Sequence, residues 1–108
     1  NLRAATDHGI AQGGEAALRL LGALTRFWER RGNVAETRAR LDQALDASSE
    51  PTPGRAKALN TAGILAYRQA DYAAARRRYE ESLALRRHLG DRAGVASSYN
   101  NLATLALE

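Results

Sequence analysis

The sequence repeats itself. Residues 30–45, RRGNVAETRARLDQAL, align with residues 68–83, RQADYAAARRRYEESL, so that Asn33 meets Asp71, Val34 meets Tyr72, Leu41 meets Tyr79 and Leu45 meets Leu83. Residues 58–66, ALNTAGILA, align with residues 98–106, SYNNLATLA. Leu59 then meets Tyr99, Asn60 meets Asn100, Gly63 meets Ala103 and Ala66 meets Ala106. Moving from 30 to 68 is an offset of 38 positions, and from 58 to 98 one of 40. A unit recurring about every forty residues is too small to bury its own apolar face, so copies must stack into a solenoid.

The unit is a pair of helices. Alanine, leucine, arginine and glutamate dominate the long segments, and apolar positions recur at three and four, not two. Three breaks divide them: ERRGN at 29–33, SSEPTPG at 48–54 with both prolines, and HLGD at 88–91. Asn33 with Glu36 forms a capping-box-like pair, and Asp71 and Asp91 are expected N-caps. The pattern predicts a short helix over about 1–11, then helices over about 14–31, 34–47, 54–69, 72–89 and 92–107.

Composition excludes several function classes. Hydrophobic residues make up 44% and charged residues 26% of the 108, which suits a folded chain rather than a disordered one. No apolar run approaches the roughly 18 residues of a membrane span, and no signal peptide is read at the start. Cysteine is absent, so neither disulfides nor thiolate ligands enter, as suits a reducing cytosol. Methionine is absent even at position 1, so the chain is expected to be part of a longer protein. The net charge of +4 comes almost wholly from arginine, Lys57 being the one lysine. Arginine and alanine both have GC-rich codons, so coding bias accounts for the skew as well as an acidic partner does.

Residues 56–85 resemble a tetratricopeptide repeat. The resemblance rests on Leu59, Gly63, the turn Ala70–Asp71–Tyr72, and Ala75, Tyr79 and Ser82. Residues 21–45 match more loosely, with Thr25 and Thr37 where glycine and alanine are expected and Trp28 in the last bulky slot of the first helix. Residues 96–108 match only a first helix. The implied fold is all-α: antiparallel helix pairs stacked as a right-handed solenoid. It divides into a linking helix at 1–12, a first repeat at 13–50, a second at 51–90 and the first helix of a third at 91–108. NLRAA at 1–5, ALRLLGALTRFWERRGNVAETRARLDQAL at 17–45 and LALRRHLGDRAGVASSYNNLA at 83–103 also resemble the repeat region of bacterial signal-transduction ATPases with a LuxR-type or antibiotic-regulator-type DNA-binding effector, or sometimes a nucleotide cyclase. No phosphate-binding glycine-rich loop occurs, so that resemblance implies that the ATPase and DNA-binding parts lie outside this sequence.

Catalysis has little to stand on. His8 and His88 lack acidic or nucleophilic partners at fixed spacing, and His88 suits the cationic end of a helix. No metal-ligand cluster and no cofactor motif is present, and no enzyme activity is expected. Trp28, Tyr72, Tyr79 and Tyr99 fall where helix packs on helix, while Tyr67 faces the inner groove. Arg76, Arg77 and Arg78 fall between the apolar positions of the helix over 72–89. They read as a solvated outer face paired with Glu80 and Glu81. The rival reading makes that surface a nucleic-acid- or phosphate-binding module.

In the tetratricopeptide resemblance, partners bind the inner wall formed by first helices. The inward positions are Arg19, Arg26, Glu29 and Arg30, then Lys57, Asn60, Ile64, Tyr67 and Arg68, then Ser97, Asn100 and Thr104. Arg26, Arg30, Lys57, Asn60, Tyr67, Arg68, Asn100 and Thr104 are the candidate groove for a protein or peptide segment. Neither membrane nor nucleic acid is expected as a partner, and the location is expected to be cytoplasmic. A homodimer is expected through the last helix, whose Leu102, Leu105 and Ala106 belong to the face a missing second helix would bury.

Overall fold

A computed structural model describes residues 34–108. The helices expected over 1–11 and 14–31, with Arg26, Trp28 and Arg30, lie outside the described residues. Within them are four helices and no strand: α1 (Val34–Ala47), α2 (Pro53–Arg68), α3 (Tyr72–Leu89) and α4 (Arg92–Ala106). The architecture is all-α, built of antiparallel helix pairs: α2 and α3 form one complete pair, α1 is the second helix of the pair before, and α4 the first helix of the next.

Local chemistry sets each boundary. α2 opens on Pro53, where the missing N–H costs nothing, and Thr52 Oγ1 accepts from the Arg55 backbone N–H at 3.1 Å. Asp71 and Asp91 cap α3 and α4 as expected, accepting from the N–H groups of Ala74 (3.3 Å) and Gly94 (2.9 Å). α2 and α3 end in the same turn. The Asp71 N–H reaches the Ala66 carbonyl and the Ala70 N–H reaches that of Tyr67, both at 2.9 Å; Asp91 and Gly90 repeat this on Arg86 and Arg87. The turn needs one left-handed residue. Gly90 supplies it at φ 72°, whereas Ala70 adopts it at φ 59° despite its Cβ.

Two apolar clusters hold the helices together. Leu41, Ala44 and Leu45 of α1 meet Ala58, Leu59, Ala62 and Leu65 of α2. Ala66 of α2, Ala74, Ala75 and Tyr79 of α3 and Leu105 of α4 form the second. Small side chains set the approach of α2 to α3: a Cβ at Gly63 would lie 2.6 Å from the Tyr79 ring. Ser82 adds a buried hydrogen bond, donating from Oγ to the Ala56 carbonyl at 2.8 Å.

The repeat alignment explains α4. Ala58 and Leu65, which face α1 in the first cluster, align with Ser98 and Leu105, which are buried like them. Leu59, Gly63 and Ala66 are buried in α2, but Tyr99, Ala103 and Ala106 in α4 are exposed. This corrects the face expected to be left uncovered. Leu105 is buried and Leu102 half-buried against the second cluster, because both point back toward the preceding pair. Only Ala106 of the three stays exposed. The leucine patch that motivated a homodimer is therefore largely consumed within the chain.

Two tyrosines also depart from expectation. Tyr79 packs between helices at 4% exposure, but Tyr72 and Tyr99 are 40% and 49% exposed. Tyr72 opens α3 and rests tilted on Tyr67, with ring centroids 5.6 Å apart. Tyr99 lies on the stripe of α4 that no described helix covers.

Candidate interaction surface

Lys57, Asn60, Tyr67 and Arg68 lie on α2, and Asn100 and Thr104 on α4. Lys57, Arg68, Asn100 and Thr104 are exposed; Asn60 and Tyr67 are half-buried. Two bridges join these first helices. The Asn101 Nδ2 amide donates to Asn60 Oδ1 at 2.7 Å, and the Tyr67 hydroxyl donates to the Glu108 carboxylate. Each spans 41 positions, close to the repeat length. The hydrogen bond to Glu108 also raises the Tyr67 phenol pKa, since ionising the phenol would oppose a second negative charge.

The recurring asparagines differ in their contacts. Asn60 and Asn100 align, but Asn60 bonds to Asn101, which aligns with Thr61. Asn100 keeps its amide exposed, while its backbone carbonyl accepts from Thr104 Oγ1 at 3.0 Å. The inner surface thus presents Lys57, Arg68 and the Asn100 amide around an internally satisfied Asn60–Asn101 pair. It can offer cationic and amide donors to an extended chain.

The outer surface is braced by arginines that sequence reasoning assigned to solvent or passed over. Arg76 and Arg77 are exposed as expected. Arg78 is half-buried, and its guanidinium contacts Asp42 of α1 at 3.0 Å and Glu81 at 3.5 Å. Arg38 reaches from α1 to Asp71 at 2.7 Å and to Gln69 Oε1 at 2.9 Å. Its guanidinium, with the Ala74 N–H, holds the Asp71 carboxyl below the usual carboxylate range. The Arg38/Asp42 spacing of four is visible in sequence, but the partners in the next repeat are not.

Clefts also lie on the remaining surface of the described residues. One of about 390 Å³ sits beside the 48–52 connection, lined by Arg55, Leu59, Leu85 and His88 among others. Arg55 there donates to the carbonyls of Leu45 and Ser48, closing the end of α1. Another, about 330 Å³, lies at the α3–α4 turn. Among the described residues, no three His, Asp or Glu side chains gather as a metal site would require. Nor is any described helix long and apolar enough to cross a membrane.

A family model described as tetratricopeptide repeat matches residues 16–88, more than half of the chain. No curated protein matches it.

Proposed function

Because the chain belongs to the tetratricopeptide repeat family, whose repeats generally mediate protein–protein interaction, we propose that it is a non-catalytic interaction and sensor domain. It holds an extended partner segment along the inner wall formed by α2 and α4. The observation that carries this reading is the pair of bridges between those helices. Asn60–Asn101 and Tyr67–Glu108 fix the two first helices side by side, so that Lys57, Arg68, Asn100 and Thr104 present one prearranged surface. Prearrangement lowers the ordering cost of binding. The repeat resemblance assigns Arg26 and Arg30, outside the described residues, to the same partner-binding set.

The larger protein is a cytoplasmic ATPase-type transcription regulator, and the bound segment belongs to another of its domains. The resemblance of NLRAA and of residues 17–45 and 83–103 to such regulators supports this setting. The test is binding to the rest of the parent protein. Lys57→Glu with Asn100→Ala weakens binding, whereas Arg76→Glu with Arg77→Glu leaves it unchanged. Loss of binding only in the arginine variant would instead assign the outer surface, as would affinity falling steeply with salt.

A further inference from the structure

The cleft at the α3–α4 turn is a candidate site for a different ligand, independent of the inner wall. Arg86, Arg87 and Arg92 line it, with Asp91 as its one carboxylate. Three guanidiniums against one carboxylate leave a net charge of +2 on its walls. Arg86 is half-buried and held in place: its Nη1 donates to the Gly94 carbonyl at 3.1 Å and to Ser98 Oγ at 2.9 Å. Its Nε and Nη2 remain for a ligand. Arg87 lies with Cζ 5.2 Å from the centroid of the Tyr99 ring, a stacked pose in which its N–H edge still donates. Gly90 adds open space, since a Cβ there would meet nothing within 4 Å.

Helix-end electrostatics explain only part of this cluster. Arg86 and Arg87 lie in the last turn of α3, where cations offset the dipole. Arg92 is the first residue of α4, where a cation opposes it, and that first turn holds no acidic residue. Arg92 is exposed, with no ion-pair partner among the described residues. The Asp91 carboxylate at the N-cap offsets one of the three guanidinium charges, and a bound dianion would offset the other two.

We propose that the Arg86–Arg87–Arg92 cleft binds a phosphate monoester dianion. A phosphate monoester carries about −1.5 to −2 at neutral pH, matching the walls, and its oxygens accept the paired donors of guanidinium groups. A single carboxylate would leave one positive charge unmatched. The group comes either from a phosphorylated side chain of a protein segment or from a small phosphorylated molecule.

Titration of the ¹⁵N-labelled 108-residue chain followed by NMR tests the site, at ~0.1 M salt to screen diffuse attraction. The probes are inorganic phosphate, a phosphoserine peptide flanked by glycine and alanine, and the same peptide unphosphorylated. The expected result is saturable shifts at the Gly90 and Arg92 amides and the Arg86 Nε–H. Arg92→Gln weakens binding about tenfold, as loss of a charge-assisted hydrogen bond should, and Arg76→Gln with Arg77→Gln changes nothing. Tighter binding of the phosphopeptide than of inorganic phosphate assigns a protein source, and equal binding a small-molecule source. Shifts that do not saturate, equal binding of the unphosphorylated peptide, or equal weakening by the Arg76/Arg77 variant would overturn the proposal.

Discussion

Ala70 performs a glycine's task. It sits at φ 59° in a turn whose counterpart, twenty residues on, uses Gly90. Left-handed backbone costs a residue with a Cβ about 1–2 kcal/mol, part of which glycine returns through its looser unfolded state. Ala70→Gly is therefore expected to stabilise the fold by about 0.5–1 kcal/mol, read as a higher midpoint in urea. Gly63 is the opposite case, since a Cβ would press on the Tyr79 ring at 2.6 Å. Gly63→Ala should cost about 1–3 kcal/mol by overpacking, and Gly63→Leu more. Thr37 stands where the repeat expects alanine, and its buried hydroxyl has no hydrogen-bond partner among the described residues. Thr37→Val keeps the shape without the unsatisfied oxygen and should raise the melting temperature, by about 1 kcal/mol of stability. Gly63 was legible in the sequence because its repeat position demands a small residue. The backbone angle of Ala70 was not, because alanine signals helix continuation as readily as a turn.

At the scale of the element, sequence located all four described helices to within a residue or two, because proline, glycine and aspartate punctuate them. It misjudged which face of α4 is covered. Periodicity says that a helix has an apolar stripe, but not which neighbour each position meets, and Leu102 and Leu105 turn toward the pair already present. The α2–α3 turn carries a pH dependence that periodicity does not reveal. The Asp71 carboxyl is lowered by Arg38 and by the Ala74 N–H. A depressed carboxylate stabilises the fold above its unfolded pKa and loses that contribution as pH falls through the folded one. Stability should drop on acidification below the usual carboxylate range. Asp71→Asn should flatten that part of a chemical-denaturation series taken from neutral pH downward, while lowering stability at neutral pH.

For the whole molecule, the contacts that tie one repeat to the next differ between the two walls. The outer wall is joined by charge, through Arg78–Asp42 at 3.0 Å and Arg38–Asp71 at 2.7 Å. The two helices of the inner wall are joined by hydrogen bonds, Asn60–Asn101 between neutral amides and Tyr67–Glu108 from a neutral phenol. At 1 M salt the reach of a charge falls to about 3 Å, comparable to these contacts, so the exposed carboxylate side of each pair loosens in part, while hydrogen bonds with a neutral partner respond less. The array is therefore expected to respond to ionic strength as a bimetallic strip does to temperature, the outer side relaxing slightly more than the inner and the strip curling toward the inner side. Spin labels at Gln43 and Glu80, both exposed on the outer wall, should move apart as salt rises. Labels at Lys57 and Ser97, exposed on the inner wall, should keep their separation. A chain built this way would curl more tightly in brine than in dilute buffer.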